Sequence, residues 1–214
     1  MIYDFLNAKH ALIWRIVHCD NMPWLIQNGL HCANTTVQSN NWITIGNTEL
    51  INRRSTRQVP IGNEGTLSDY VPFYFTPFSP MLLNIHTGYE GITKVDNTDI
   101  VILVASLYDL QASKIDFVFT DRHAYMQYAN FYNDLAHLNE IDWDILQKRD
   151  FRRDNNDPQK VERYQAEALI YNHHPIDQLK AIVCYSEAVQ SKIQGWLNQY
   201  NLNVKVVVRS EWYF

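Results

Sequence analysis

Two short stretches of the chain carry side chains that could do chemistry. "RYQAEALIY" (163–171) places a carboxylate, Glu167, at the start of an otherwise apolar strand, and "NRRSTRQVP" (52–60) carries Arg53, Arg54 and Arg57. A carboxylate held in place can stabilise positive charge that develops on a reacting group. The alternatives are an acid on an edge strand that faces solvent, and arginines that belong to a solvated basic surface.

Other polar clusters are less specific. Two His-Cys dipeptides, at 18–19 and 31–32, could together supply four zinc ligands, but the close ligand pairing of known zinc sites is missing. The His-His pair at 173–174 precedes a proline and is typical of a turn at a strand end. The chain has neither a Gly-x-Ser-x-Gly elbow nor a P-loop. No metal is therefore expected.

Composition limits the class of protein. With 214 residues, of which 46% are hydrophobic, the chain can bury a full core, and a single domain over 1–214 is favoured. Three cysteines without framework spacing indicate reduced thiols, and the N-terminus lacks the order of a signal peptide. We expect a cytoplasmic protein with no membrane segment. The net charge of −5 argues against coating nucleic acid by bulk attraction, so any polyanion site must be local.

Hydrophobic patterning predicts strands and helices in irregular order. The predicted strands are "ALIWRIVH", "DYVPFYF", "DIVILVASL", "IDFVFT", "AEALIY", "LKAIVCY" and "VKVVVRSEWYF". The predicted helices are "CDNMPWLIQNGL", "SPMLLNIHTG" and "SEAVQSKIQGWLNQY". The order lacks the regular alternation and the glycine fingerprint of a doubly wound fold. The sequence therefore predicts an α+β fold.

Three further segments connect these elements. Residues 33–69 are rich in Asn, Thr and Gly and are long for a connection, which is typical of functional or disordered segments. "DRHAYMQYANFYNDLAHL" (121–138) has aromatic residues at helical spacing, which favours a helix that Asp121 and Arg122 would cap, with its aromatics in the core. "KRDFRRDNNDPQKVER" (148–163) is a charged, turn-rich connection.

Several motifs together resemble one family. They are "WRIVHCDN", "NRRSTRQVP", "DYVPFYFTPFSPML", "FVFTDRHAY", "DWDILQKRDFRR", "RYQAEALIY" and "EWYF". This set is similar to that of the DarT family, bacterial toxins that transfer ADP-ribose from NAD to a base in single-stranded DNA. The resemblance implies an ADP-ribosyltransferase-like fold, with mixed sheets flanked by helices, and NAD as the substrate. The "FVFTDRH" and "QAE" motifs resemble the branch that modifies thymidine.

The resemblance also implies site residues. Glu167 matches the catalytic glutamate and Arg54 a catalytic arginine. Because a guanidinium stays protonated in proteins, we expect Arg54 to stabilise the deprotonated base or the diphosphate rather than to act as a base. The positions that match the NAD site are Arg15, Ile16, Val17, Trp24, Cys32 and Arg54. Some relatives carry His at the position of Arg15, and for Val17 and Cys32 a core position is an equal alternative.

Predicted DNA contacts come from the resemblance and from composition. His123 matches a family residue near the acceptor base. "KRDFRR" (148–153) interleaves an aromatic with cations, which suits stacked bases and phosphates, and "FSPML" begins a helix whose N-terminus could hold a phosphate. The predicted set is Phe78, Ser79, Pro80, Met81, Leu82, Leu83, Arg149, Asp150, Phe151, Arg152, Arg153, Arg163, Tyr164 and Gln165.

The sequence leaves alternative functions open. The chain could modify guanosine or protein, or it could be an inactive module that binds single-stranded nucleic acid. Intact Glu167 and Arg54 count against an inactive module, and the basic loop counts against a protein acceptor. The family also implies a partner, a macrodomain antitoxin similar to DarG that removes the ADP-ribose.

Overall fold

A computed structural model describes residues 2–214. It contains ten strands: β1 (Leu12–His18), β2 (Leu30–His31), β3 (Tyr70–Tyr74), β4 (Ile100–Ser106), β5 (Phe117–Thr120), β6 (Phe131–Tyr132), β7 (Glu167–Tyr171), β8 (His173–His174), β9 (Ala181–Cys184) and β10 (Val206–Val208). The α-helices are α1 (Met22–Asn28), α2 (Thr48–Arg53), α3 (Pro80–Thr87), α4 (Leu107–Ala112), α5 (Trp143–Gln147), α6 (Lys160–Tyr164) and α7 (Glu187–Gln199).

Eight strands form one mixed sheet in the order β10-β9-β4-β1-β3-β7-β5-β6. Neighbouring strands are antiparallel except β10 and β9, which are parallel. Strand β4 is buried along its whole length, as its unbroken apolar run predicts. The short strands β2 and β8 form a separate two-stranded sheet. The predicted α+β class is confirmed.

Helix ends follow the chemistry of the sequence. Helix α3 starts where the Ser79 hydroxyl accepts the Leu82 N–H at 3.1 Å, and it ends at Gly88, whose φ of 73° is left-handed. Helix α1 follows Asn21, which makes no side-chain cap, and it ends at Gly29. Both predicted ends of α3 and the predicted end of α1 at Gly29 are therefore confirmed.

The predicted helix after β5 is wrong. The Asp121 carboxylate accepts both the backbone N–H and the side-chain amide of Asn130, at 3.1 and 2.9 Å, and so closes a turn over 121–130. The Ala124 N–H donates to the Glu167 side chain and not to the Asp121 side chain, which would cap the predicted helix. Tyr128 is 48% exposed, so this aromatic lies outside the core.

Two apolar clusters hold the sheet. The larger one contains most of the buried side chains of β1, β4 and β9. The smaller cluster lies beside the end of the sheet that carries β5 and β7, and it consists of Val59, Leu67, Tyr70, Val118, Ala124 and Leu169. Because the smaller cluster joins the segment after α2 to β5 and β7, it fixes the strand ends that carry Glu167 and the 121–130 turn.

Candidate active site

Glu167 is the first residue of β7, which lies between β3 and β5 in the interior of the sheet. Its backbone N–H donates to the Thr120 hydroxyl at 3.2 Å, which fixes the start of the strand. The residue is 1% exposed. The alternative of a solvent-facing acid on an edge strand is therefore wrong.

Both carboxylate oxygens of Glu167 are held. Oε2 accepts from Arg54 Nη1 at 2.9 Å, while Oε1 accepts the Ala124 N–H at 3.0 Å. Nδ1 of His123 also lies 3.0 Å from Oε1, so Nδ1 donates a hydrogen bond to the carboxylate when it carries a proton. The backbone N–H of Tyr125 also approaches Nδ1, but at the longer distance of 3.3 Å. Burial raises the pKa of Glu167, but Arg54, His123 and the Ala124 N–H outweigh burial and lower this pKa to about 2. At neutral pH the site holds a fixed anion.

Arg54 reaches the carboxylate from a short, well-defined segment. Asn47 caps α2 by accepting the Leu50 N–H at 3.0 Å, and a 3-10 turn over Arg54–Thr56 follows directly. The Arg54 side chain is 11% exposed. Arg53, one position earlier, instead forms an exposed ion pair with Glu49 on α2. The expected surface location is thus confirmed for Arg53, whereas the Arg54 side chain points to the buried Glu167.

A cavity of about 500 Å³ opens in front of this pair. Its wall includes Glu167 and His123 together with all six residues predicted to bind NAD: Arg15, Ile16, Val17, Trp24, Cys32 and Arg54. Residues of the polar stretch 33–69 form much of the remaining wall. A volume of this size is typical of sites for nucleotide-sized ligands.

Two guanidinium nitrogens in the cavity wall have no partner among the described residues. Arg15 donates from Nη1 to the Pro72 carbonyl at 2.8 Å, but its Nε is buried and unpaired. Nη2 of Arg54 is also buried and unpaired. Burial and then the charge of Arg54 lower the pKa of Arg15 to about 10, so Arg15 remains cationic at neutral pH. Unpaired buried donors of this kind are suited to an anionic ligand.

Sequence reasoning missed Tyr74 in this cavity. Tyr74 is the direct cross-strand partner of Glu167 in the β3–β7 pair, and it also lines the cavity wall. Burial, followed by the charge of Glu167, raises the pKa of Tyr74 well above its ordinary value, so the hydroxyl stays protonated. The predicted strand "DYVPFYF" contained this residue, but only its register with β7 brings it to the carboxylate.

The "FSPML" segment mostly serves the core, which corrects its predicted DNA contacts. Phe78, Ser79 and Leu82 are at most 1% exposed, and the Ser79 hydroxyl already accepts a backbone N–H of α3. Met81 lines the cavity, whereas Pro80 and Leu83 are partly buried outside its wall. The direct contact predicted from Phe78, Ser79 and Leu82 is wrong because their side chains pack inside the protein.

The basic loop is also more structural than predicted. The Arg149 guanidinium lies between the rings of Phe78 and Phe214, 4.3 and 4.2 Å from their centroids. Phe151 is partly buried, and its ring packs against Tyr164 with centroids 5.0 Å apart. At least part of the Phe151 ring is therefore used for packing within the protein.

Carboxylates balance part of the charge in this loop. Asp150 binds Lys160 at 3.0 Å and lies 3.5 Å from Arg152 Nε. The side chain of Arg152 is nevertheless 90% exposed, and Arg153 is exposed without a carboxylate partner among residues 2–214. Lys148 is also exposed and pairs with Asp144. Arg153, and Arg152 with its mostly exposed side chain, remain open to a phosphate.

Residues 163–165 lie away from the cavity wall. Arg163 is bound by Asp157 and Asp142, at 2.7 and 2.9 Å. The buried Tyr164 hydroxyl donates to the Phe78 carbonyl, and the Gln165 amide donates to the Val161 carbonyl. These side chains therefore all have partners within the protein, and their predicted DNA contacts stay a prediction.

The His-Cys dipeptides do not meet at a metal-like cluster. Cys19, Cys32 and Cys184 are buried and unpaired. Across residues 2–214 there is no group of three or more His, Cys, Asp or Glu side chains arranged to hold a metal ion. Nor does any helix of the described chain have the length and apolarity to cross a membrane.

Comparison with known proteins identifies the family. A family model described as "ssDNA thymidine ADP-ribosyltransferase, DarT" matches residues 14–214. The chain belongs to the DarT family. A DNA ADP-ribosyl transferase of Escherichia coli O127:H6 is 58% identical over 217 residues, covering 100% of both chains. The predicted family is confirmed.

Solved DarT structures share the fold. Thermus sp. 2.9 DarT in complex with ADP-ribosylated ssDNA matches with a TM-score of 0.88 and 30% identity, covering 100% of each chain. Thermus sp. 2.9 DarT in complex with NAD⁺ matches with a TM-score of 0.82 and 30% identity, covering 96% of this chain and 98% of that one. The predicted ADP-ribosyltransferase-like fold is confirmed.

Proposed function

We propose that this chain transfers ADP-ribose from NAD to a thymidine base in single-stranded DNA, with Glu167 and Arg54 as the catalytic residues. The observation that carries the assignment of residues is the buried Arg54–Glu167 ion pair, which lies in the wall of the cavity that also contains all the predicted NAD positions. NAD acts as a substrate. The activity, the single-stranded DNA acceptor and the donor agree with the family and with the ligands of the Thermus DarT structures.

The first chemical step needs the fixed anion. When the bond between the nicotinamide nitrogen and ribose C1′ breaks, nicotinamide leaves as a neutral molecule and positive charge develops on the ribose. No acid is required to protonate the leaving group. The Glu167 carboxylate is ionised and held at both oxygens, so it can stabilise that charge without reorganising.

The second step needs cationic donors. Thymine in DNA has one ring N–H, at N3, because N1 is bonded to deoxyribose. As this proton passes to water, the N3 electron pair forms the new bond to ribose C1′. The free Nη2 of Arg54 is suited to stabilise the anionic base, while the free Nε of Arg15 is suited to the diphosphate.

The apolar residues of the cavity wall position NAD. Trp24 lies beside Trp42, with ring centroids 5.8 Å apart and planes at 81°. Such an apolar corner can cover a flat heteroaromatic ring. We assign Ile16, Val17 and Cys32 to packing of the NAD pocket, in agreement with their position in its wall.

The biological setting follows from the same assignment. A DNA-modifying enzyme of this family acts as a toxin that blocks replication, and we propose a macrodomain antitoxin that removes ADP-ribose from DNA as its partner. We also propose that the protein works in the cytoplasm and that residues 1–214 act as one domain, since strands from Leu12 to Val208 share one sheet.

One labelling experiment tests the function. The protein is incubated with NAD labelled in the adenylate, and with single-stranded oligonucleotides that contain or lack thymidine, their duplex forms, and a mixed protein extract. We expect label only on single-stranded oligonucleotides with thymidine. Label on protein, on guanosine-only oligonucleotides or on nothing would contradict the proposal, and each result identifies a different alternative.

A further inference from the structure

We propose that Arg57 is a positioning residue for the transfer reaction, and this inference rests on the function proposed above. Arg57 does not line the cavity. It joins the segment that carries Arg54 to the turn that holds the other oxygen of the Glu167 carboxylate. Sequence composition suggested a surface arginine in a basic run, and the structure contradicts that interpretation.

The guanidinium of Arg57 is bound by backbone carbonyls of the 121–130 turn. Nη2 donates to the Met126 carbonyl at 2.8 Å and to the Gln127 carbonyl at 3.4 Å, while Nε donates to the Ala124 carbonyl at 3.3 Å. The same group lies over the Phe131 ring, 5.7 Å from its centroid. No carboxylate forms an ion pair with it within residues 2–214. Its charge is therefore directed to carbonyl oxygens of one turn.

The backbone of Arg57 is fixed at the opposite side. Its N–H donates to the Arg54 carbonyl at 3.3 Å, and its carbonyl accepts the Leu67 N–H at 2.9 Å. The Arg57 side chain thus extends from a backbone that hydrogen bonds tie to Arg54 and to Leu67. A movement of the 121–130 turn relative to Arg54 would break the contacts of Arg57.

The turn that Arg57 holds makes the second contact with the catalytic acid. The Ala124 N–H and His123 Nδ1 each lie 3.0 Å from Oε1 of Glu167, and Arg54 binds Oε2. One carboxylate is therefore held by two chain segments, and the Arg57 side chain joins these segments by hydrogen bonds. A looser turn would weaken the Oε1 contacts and let the carboxylate shift or take up a proton more easily.

The geometry requires an arginine. Three carbonyls from one turn are reached by two nitrogens of a planar group, and a single ammonium cannot reproduce that fork. Arg53 is a matched control, because it lies four positions earlier and forms only an exposed pair with Glu49.

The test compares Arg57→Ala, Arg57→Lys and Arg53→Ala with the wild type. Initial rates of ADP-ribose transfer to a thymidine-containing single strand are measured against NAD concentration and across pH, with thermal unfolding and NAD binding in parallel. We expect both Arg57 variants to lower kcat by about 10- to 100-fold, as for removal of a hydrogen bond to a charged group, with KM for NAD changed by less than about twofold. The acidic limb of the pH–rate profile should move to higher pH, and Arg53→Ala should match the wild type.

Two results would overturn the inference. The first is a wild-type rate in the Arg57 variants. The second is a fall in rate that parallels unfolding and weaker NAD binding while the pH profile stays unchanged. Either result would show that Arg57 does not position the site. If Arg57→Ala does not fold, the same criteria apply to Arg57→Lys. Absence of transfer by the wild type and by Arg53→Ala would instead contradict the proposed function.

Discussion

Arg54 and Glu167 are 113 positions apart in the chain, yet Nη1 of Arg54 lies 2.9 Å from Oε2 of Glu167 in a setting where the side chains are only 11% and 2% exposed. Removing one partner of a buried ion pair leaves an unbalanced charge. In the proposed mechanism each partner also has a chemical use: the carboxylate is the fixed anion, and Nη2 of Arg54, which has no partner among the described residues, is available to bind substrate.

Glu167→Gln should abolish transfer while keeping the fold. The amide preserves shape but removes the negative charge that stabilises the ribose cation, so we expect kcat to fall by at least about 100-fold. Glu167→Ala should be equally inactive. Transfer of labelled ADP-ribose measures the effect, with circular dichroism as the control for folding. Turnover within twofold of the wild type would contradict a catalytic role for this carboxylate.

Arg54→Lys should fail to rescue Arg54→Ala. Arg54 contacts Glu167 through Nη1 and leaves Nη2 for the substrate, and a compact ammonium cannot serve both directions. We expect both variants to lose transfer to a similar extent. The measurement is the single-turnover rate at saturating NAD. Full activity of the lysine variant would mean that charge alone is required.

Arg152 and Arg153 should contribute to DNA binding through charge. Their side chains are exposed, and Arg153 has no carboxylate partner among the described residues. The double alanine variant should flatten the dependence of oligonucleotide affinity on salt by roughly 0.7 of a log unit per log of salt for each phosphate that the variant no longer neutralises. Oligonucleotide affinity is measured at two salt concentrations. The control is the double variant Lys9→Ala/Lys94→Ala, which also removes two exposed cations. Equal slopes for the wild type and the arginine variant would place the DNA path elsewhere.

Phe151→Ala should act on stability. The ring packs against Tyr164 and lies 6.1 Å from Phe214, so its removal should lower the free energy of unfolding by about 2 kcal/mol. The salt dependence of DNA binding should not change. Denaturant unfolding and the two-salt binding assay separate the two effects. Unaltered stability with weaker DNA binding would restore the base-stacking role that the sequence predicted.

His174 should make the fold sensitive to mild acid. It is fully buried, neither ring nitrogen has a partner among the described residues, and burial lowers its pKa to about 4. The unfolded chain binds a proton below an ordinary pKa of about 6.5, so stability is complete above that pH and falls by up to about 1.4 kcal/mol per unit as the pH drops towards 4.

The variant His174→Phe removes that titration. Its melting temperature should decline less than that of the wild type between about pH 7 and pH 5, the range in which only the unfolded chain takes up the proton. His10→Gln, a change at an exposed histidine, should follow the wild type. A parallel decline in all three proteins would show that other groups control acid stability.

Local features of the sequence determined much of this protein. The unbroken apolar run of β4, the Ser79 cap and the left-handed Gly88 specify their elements through contacts within a few residues. The motifs also specified the family, the position of Glu167 at the start of a strand, and six residues that meet at one cavity. Such features can be predicted from the sequence because each depends on the types of residues that lie close together in the chain.

Only the tertiary structure decided which polar side chains act together. Arg53, Arg54 and Arg57 look alike in sequence, yet Arg53 forms an exposed ion pair, Arg54 binds the buried Glu167, and Arg57 binds carbonyls of a turn about 70 positions away. The sequence also did not predict that Arg149 lies between the rings of Phe78 and Phe214. The physical reason is that these contacts join segments brought together by strand order and register, and a side chain's partner across the sheet leaves no periodic signal in its own neighbourhood.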